Sequence, residues 1–230
     1  MNAQHIIGQI SDTIIHGNYN RQGGASTAGN DDRPDISELI SLSIENDVPA
    51  PLIASDGLDR PMLDVITRFK NDDFAFIEMI ARATLAGEAR KILADHVENP
   101  ESLSKGKMLL ATVKGEYHRH GKDIVSSLSR GLGIDTIDLG TGITANEIID
   151  AANEHKPDFL GISASTRATI PDLKKLMHKI QEDHTFEDMS VILGGYLAVD
   201  EEADAIAVDY QCSDLSQTIE LLSNLTGNEN

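Results

Sequence analysis

The sequence predicts an α/β protein: an N-terminal four-helix bundle over residues 1–100, then a doubly wound parallel sheet of flavodoxin or Rossmann type over 105–230. Three observations predict it. The first hundred residues carry apolar side chains at helical spacing, in four separable stripes. Near Pro100 the pattern changes to short apolar runs alternating with amphipathic segments, which is how βα units read. Glycine, proline and hydroxyl residues then fall at the junctions where strand-to-helix turns need them.

Each element follows from its residues. Ile7, Ile10 and Ile14 share one helix face, and Gly17 is a stop signal. Residues 17–34 hold four glycines and few apolar groups, so a flexible connection is expected there. A second helix runs from Asp35 to Asn46 with Ile36, Leu39, Ile40 and Ile44 inward. A third spans Pro49–Phe69, kinked or interrupted near Gly57 and Pro61. The fourth covers Asp73–Val97, with Phe76, Met79, Ile80, Ala83, Ala86 and Gly87 on one stripe that ends in small residues permitting close packing. In the second half, strands are expected at Lys107–Val113, Thr136–Leu139, Asp158–Ala164 and Met189–Leu193. Helices are expected at Gly121–Gly133, Thr144–His155 and Pro171–Glu182, with a last one near Leu215–Leu225. Thr144 with Glu147 reads as a capping box, and Pro171 suits a first helical turn.

Composition narrows the function. Thirty-eight acidic against nineteen basic side chains give a net charge of −19, which disfavours nucleic acid and anionic membrane surfaces as partners. The single cysteine leaves no disulfide framework and no cysteine-held zinc or iron–sulfur site within one chain. There is no apolar run long enough to span a bilayer and no basic n-region of a signal peptide, so a cytoplasmic protein is expected.

Parallel sheets of this kind bind ligands at the carboxyl ends of their strands. The first such loop reads Lys114-Gly-Glu-Tyr-His118-Arg-His120-Gly121. A carboxylate two residues from an imidazole can hold one ring nitrogen while the other faces outward as ligand or base. A solvated histidine is the plain alternative, and His120 makes a two-histidine metal site conceivable. The third loop, Ser163-Ala-Ser165-Thr166-Arg-Ala-Thr169, is rich in hydroxyls; these either face a ligand or cap the next helix. Gly194-Gly195 after the fourth strand either makes a tight turn or lets backbone approach something flat and bulky. Neither a dinucleotide glycine motif nor a phosphate loop is present.

The spacing of these loops resembles the signature of the cobalamin-binding domain of methionine synthase, methylmalonyl-CoA mutase and the small corrinoid proteins. That signature is Asp-x-His-x-x-Gly, 41 residues, Ser-x-Leu, 26–28 residues, Gly-Gly. Here Glu116-Tyr-His118-Arg-His-Gly121 is followed by 41 residues, Ser163-Ala-Ser165, 28 residues and Gly194-Gly195. Ala111-Thr-Val-Lys-Gly and Gly121-Lys-Asp-Ile-Val look like the corrinoid proteins of methyltransferase systems. The likeness extends to Pro51–Phe69, which includes Met62, and to the following helix, about 180 residues in all. Three positions depart from the pattern: Glu116 stands for the aspartate, Ser165 for the leucine, and Arg167 where relatives usually carry a threonine.

The resemblance implies cobalamin or a related corrinoid, bound with its own base displaced and His118 on cobalt. Glu116 would back the histidine. Ser163, Thr169, Gly194 and Gly195 would flank the nucleotide tail, Gly121 and Ser165 would belong to the same cofactor site, and the bundle with Met62 would cover the upper face. It also implies a methyl carrier rather than an autonomous enzyme, working between a substrate-specific methyltransferase and a second methyltransferase with a folate or thiol acceptor, kept active by a reductive activator. A cobalamin-dependent sensor, a mutase subunit and a degenerate interaction protein are the rival readings.

Overall fold

The computed structural model describes residues 2–17, 34–202 and 206–227. The connection expected to be flexible, 17–34, lies outside the described residues except at its ends. The chain divides into two compact units: Met1–Lys105 with Ser127–Gly133 and Leu225–Asn230, and Gly106–Ser126 with Ile134–Asn224.

The first unit carries the helical stripes. Helix α1 (Ala3–His16) buries Ile6, Ile7, Ile10 and Ile14 and ends at Gly17. Helix α2 (Ile36–Glu45) starts where the Asp35 side chain accepts the Ser37 N–H at 2.8 Å. Its Ile36, Leu39 and Ile40 are buried as expected, but Ile44 is only half-buried. Ser43 takes the inward place instead, its hydroxyl donating to the Leu39 carbonyl at 2.8 Å, which satisfies the buried oxygen.

The expected interruption near Gly57 is a change of helix type. A short α3 (Ala50–Leu52) widens into a π-helical stretch, Ile53–Asp59, before α4 (Arg60–Lys70) resumes. Pro61 has no N–H to continue the ordinary ladder, and the helix widens over the turn before it. At Gly57 a Cβ would stand 3.2 Å from the Ile10 side chain, so the wide turn packs closely on α1.

Helix α5 (Phe76–Ala94) buries Met79, Ala83, Ala86 and Leu93, but Phe76 is 38 % exposed rather than inward. Phe76 is the first residue of the helix, one turn before the buried stripe begins. Its small residues serve close packing, as expected. A Cβ at Gly131 would lie 2.7–3.0 Å from Ala83, and one at Gly87 3.1 Å from Arg130. Arg82, 9 % exposed, donates from Nε to the Ile15 carbonyl at 2.7 Å and stacks on Phe74, closing the carboxyl end of α1.

The second unit holds five parallel strands in the order β2-β1-β3-β4-β5: β1 (Lys107–Val113), β2 (Asp135–Ile143), β3 (Phe159–Ser163), β4 (Ser190–Gly194) and β5 (Tyr210–Cys212). Helices α6 (His120–Gly131), α7 (Ala145–His155), α8 (Ile170–Glu182) and α9 (Leu215–Leu225) alternate with them. Leu109, Ala111, Leu160, Ile162, Val191 and Leu193 form the sheet's share of the core, with Ile148, Leu173 and Leu176 packed on it. The capping box is present: Thr144 Oγ1 accepts the Glu147 N–H and the Glu147 carboxylate accepts the Thr144 N–H.

The strand order reverses direction at β1, so the crevice between the carboxyl ends of β1 and β3 is the topological switch point of the sheet. One strand departs from expectation. β2 continues past Leu139 to Ile143 through two irregularities, with Gly140 (φ +94°) and Gly142 (φ +70°) supplying backbone that other residues rarely adopt.

Candidate functional site: the β1–α6 loop at the switch point

The β1–α6 loop places a carboxylate under an exposed imidazole. Glu116 is 1 % exposed, while the His118 side chain is 77 % exposed. Oε1 of Glu116 accepts the backbone N–H groups of Tyr117 and His118, both at 2.9 Å, and the His118 Nδ1–H at 2.6 Å. Oε2 accepts the backbone N–H of Ser165 at 2.7 Å. Burial alone would raise the carboxyl pKa. The hydrogen bonds from His118 and Ser165 outweigh it and hold Glu116 below the usual carboxylate range. An ionised carboxylate only accepts, so the Nδ1 facing it carries the proton. The ring's Nε2 lone pair is then free for a metal.

One departure from the family pattern, Glu116, has a visible role. The longer Glu116 side chain spans the switch point from the β1 loop to the β3 loop, and what it meets there is the main chain of Ser165. The identity of the Ser165 side chain matters less for that bond than its N–H.

The other expected residues lie on neighbouring strand ends. Gly121, in the first turn of α6, faces the Ser163 hydroxyl; a Cβ there would make only ordinary contact with it, at 3.6 Å. Thr169 is fully buried, and its hydroxyl donates to the Thr166 carbonyl at 2.6 Å. That bond ties down the loop, and the side chain does not cap the N-terminus of α8. At Gly195 φ is +93°, and a Cβ would overlap the Ala164 carbonyl oxygen and stand 3.0 Å from its carbon. This glycine is required by the chain itself. Gly194 is different: a Cβ there would find nothing nearer than 4.0 Å. Its missing side chain leaves open surface rather than relieving a clash, as does that of Gly121. Met62 has no exposed surface and belongs to the apolar core of the first unit. His120 is the exposed first residue of α6, and no group of three potential metal ligands occurs among the described residues.

Three features of the site have contacts that were not legible in the sequence. Thr112, fully buried at the end of β1, bridges the loop to β2. Thr166 Oγ1 is buried without a hydrogen-bond partner, an acceptor and donor in reserve beside Ser165. Arg167 bonds Asp200 at 2.8 Å and Glu202 at 2.6 Å, joining the β3 loop to the loop beyond β4. Thr166 was marked in advance as part of the hydroxyl-rich loop and Arg167 as a departure from the family pattern, but not with these contacts.

An outward imidazole backed by a buried carboxylate, at the switch point of a 2-1-3-4-5 sheet and beside two glycines with open surface, would suit a bulky metal cofactor. The donor set fits cobalt, which takes imidazole nitrogen readily. Fold and site thus define an α/β protein with an outward, carboxylate-backed imidazole where sheets of this kind bind cofactors. Residues 106–216 match the family model described as B12 binding domain. The chain is 30 % identical over 170 residues to dimethylamine corrinoid protein 1 of Methanosarcina acetivorans, covering 73 % of this chain and 79 % of that one. It is 27 % identical over 195 residues to a corrinoid protein of Desulfitobacterium hafniense, covering 84 % and 90 %. Among solved structures, the methanol:cobalamin methyltransferase complex of Methanosarcina barkeri matches with a TM-score of 0.77 at 19 % identity, covering 98 % of this chain and 81 % of that one. A cobalamin-binding protein of Desulfitobacterium hafniense matches at 0.63 and 18 % identity, over 97 % and 98 %. The chain belongs to the corrinoid-protein family, and its cofactor is a corrinoid. No helix among the described residues is long and apolar enough to cross a membrane.

Proposed function

We propose that the protein carries a methyl group on the cobalt of cobalamin or a related corrinoid, between a substrate-specific methyltransferase and a second methyltransferase with a folate or thiol acceptor. The observation that carries this reading is the Glu116–His118 pair. Cobalt, when bound, supplies the making and breaking of the bond to methyl; the chain's own residues do the rest. Glu116 fixes the tautomer and direction of His118 and raises its basicity as a ligand. Gly121 and Gly194 leave room for the bulky group, and Ser163 and Ser165 would offer hydroxyls to it from the β3 loop.

Two kinds of support bear on the partners. Relatives are named as dimethylamine and trimethylamine corrinoid proteins, and a structural neighbour is a chain of a methanol:cobalamin methyltransferase complex. On this reading donor and acceptor chemistry belongs to separate proteins in the cytoplasm. A reductive activator would return the cofactor to use after accidental oxidation.

The test is spectroscopic and then functional. Protein grown with 15N-histidine and loaded with cob(II)alamin should show imidazole splitting in its electron paramagnetic resonance spectrum, altered from that of unlabelled protein. His118→Ala should abolish it; persistence of the splitting in that variant removes the ligand assignment. Loaded protein should pass methyl groups only when a methyltransferase and its donor are added. Sustained turnover by the isolated chain would refute the carrier role.

A further inference from the structure

The extension of β2 beyond Leu139 has a purpose at the site. Between Ala111 and Val113 β1 advances by two residues, while β2 advances from Gly140 to Ile143. The extra residue makes a bulge opposite Thr112. There the Gly142 N–H donates to the Thr112 hydroxyl oxygen at 2.9 Å, a side chain standing where a ladder carbonyl would be. The same hydroxyl donates its hydrogen to the Glu116 carbonyl at 2.6 Å. Lys114 N–H also bonds the Ile143 carbonyl at 2.9 Å, so the start of the loop runs along the bulge.

The consequence is local and specific. The peptide joining Glu116 to Tyr117 is held at both ends: its carbonyl by Thr112, its N–H by the Glu116 carboxylate. The next N–H, that of His118, returns to the same carboxylate. Thr112 is fully buried, so water cannot replace its hydroxyl without opening the sheet. Gly142 serves this arrangement twice. Its positive φ aims the N–H at Thr112, and its missing Cβ admits the Tyr117 ring, which would stand 2.8 Å from one.

We propose that Thr112 is a positioning residue for His118: its hydroxyl locks the 116–117 peptide, and through it the direction in which the imidazole presents Nε2. This rests on the reading of His118 as the axial ligand. The β2 bulge supplies the N–H that orients the hydroxyl, which makes the carboxyl end of β2 part of the cofactor site although it contributes no ligand.

The experiment uses the full chain, labelled with 15N-histidine and loaded with cob(II)alamin, in wild type, Thr112→Val and Thr112→Ser. Valine keeps the shape and deletes the hydroxyl; serine keeps the hydroxyl. The share of bound cobalt showing imidazole splitting is read by electron paramagnetic resonance, which counts only loaded, folded protein. We expect the His-on to His-off ratio to fall about tenfold in Thr112→Val, with corrinoid still bound, and to recover in Thr112→Ser. An unchanged ratio in Thr112→Val overturns the proposal. So does an equal loss in Thr112→Ser, which would show that any change at this buried position disturbs the site and that the hydroxyl has no special part in it. Should valine unfold the sheet, Thr112→Ala carries the same expectation in the same assay. Absence of imidazole splitting in the wild type would overturn the ligand reading itself, a result separable from the other two.

Discussion

Replacing Glu116 tests the site most directly, because four N–H groups converge on one carboxylate. Three of them meet Oε1 and one meets Oε2. Glutamine has one acceptor oxygen and one amide nitrogen, so Glu116→Gln must turn its NH2 toward a donor on one side or the other. It is therefore not a mild change here. Facing the amide to Ser165 spares the three donors on Oε1 but breaks the link between the two loops. Alanine leaves all four donors without the carboxylate and removes the group that fixes the His118 tautomer. Loss of such a partner behind a metal-bound histidine lowers cofactor affinity by about 10- to 100-fold, or about 1.4–2.7 kcal/mol. Aspartate is shorter by one carbon–carbon bond, about 1.5 Å. It keeps the bond to Nδ1, which lies in its own loop, and gives up the reach to Ser165. We expect the order wild type, Glu116→Asp, Glu116→Gln, Glu116→Ala in both corrinoid affinity, read by absorbance titration, and the His-on fraction of the cob(II)alamin form. If Glu116→Ala binds and coordinates as well as wild type, the carboxylate does not serve the histidine and the reasoning fails.

Two further outcomes follow from the same loops. Gly195→Ala should lower the melting temperature, since its Cβ overlaps the Ala164 carbonyl and its φ of +93° strains any side chain, at a cost of roughly 1–3 kcal/mol; Gly194→Ala should leave melting within about a degree or two and weaken corrinoid binding instead, and equal melting losses in the two variants would show that Gly194 is structural as well. The Asp200 carboxyl is held below its ordinary pKa by the Arg167 guanidinium first and by the Glu202 N–H second. A folded-state pKa below the unfolded one stabilises the native state above the unfolded value and loses that contribution as pH falls through the folded value. Carboxyl NMR should therefore place the Asp200 midpoint below about 3.9, and Arg167→Ala should move it back toward that value; an unmoved midpoint would deny the ion pair in solution.

Most of the fold was legible because it rests on periodicity. β1 runs over Lys107–Val113 as expected, α9 over Leu215–Leu225 and α7 from its Thr144 cap. The failures came where periodicity gives way to backbone detail. Sequence marks a break at Gly57-Pro61, but whether the chain kinks or widens into a π-helix depends on how closely α1 lets it approach. Phe76 fits the apolar stripe of α5 and is nonetheless exposed, because a stripe says which face is apolar and not where along the helix the core begins. The end of β2 was misjudged for a related reason. Gly140-Thr-Gly142 reads as a turn after a strand, and only the register with β1 shows that the strand continues through it.

The site divides along the same line. The residues whose side chains face outward or whose spacing is fixed by strand length, His118, Ser163 and Gly194-Gly195, were marked by the intervals between them. The groups that hold the His118 ring in one direction were hidden. One is a backbone N–H, that of Ser165, which has no residue signature. Another is the hydroxyl of Thr112, which in the sequence is one more β-branched residue in an apolar strand. A histidine that is 77 % exposed has little packing to hold its ring, so its orientation must come from hydrogen bonds to groups that are themselves fixed. Glu116 can serve as that anchor because it is bound by both loops, and the loops stay in place because β1 and β3 are neighbouring central strands with β2 laced to the first of them. The direction of one solvent-facing nitrogen is therefore a property of three strand ends together, which is why a motif on one loop marks the imidazole and leaves unseen what aims it.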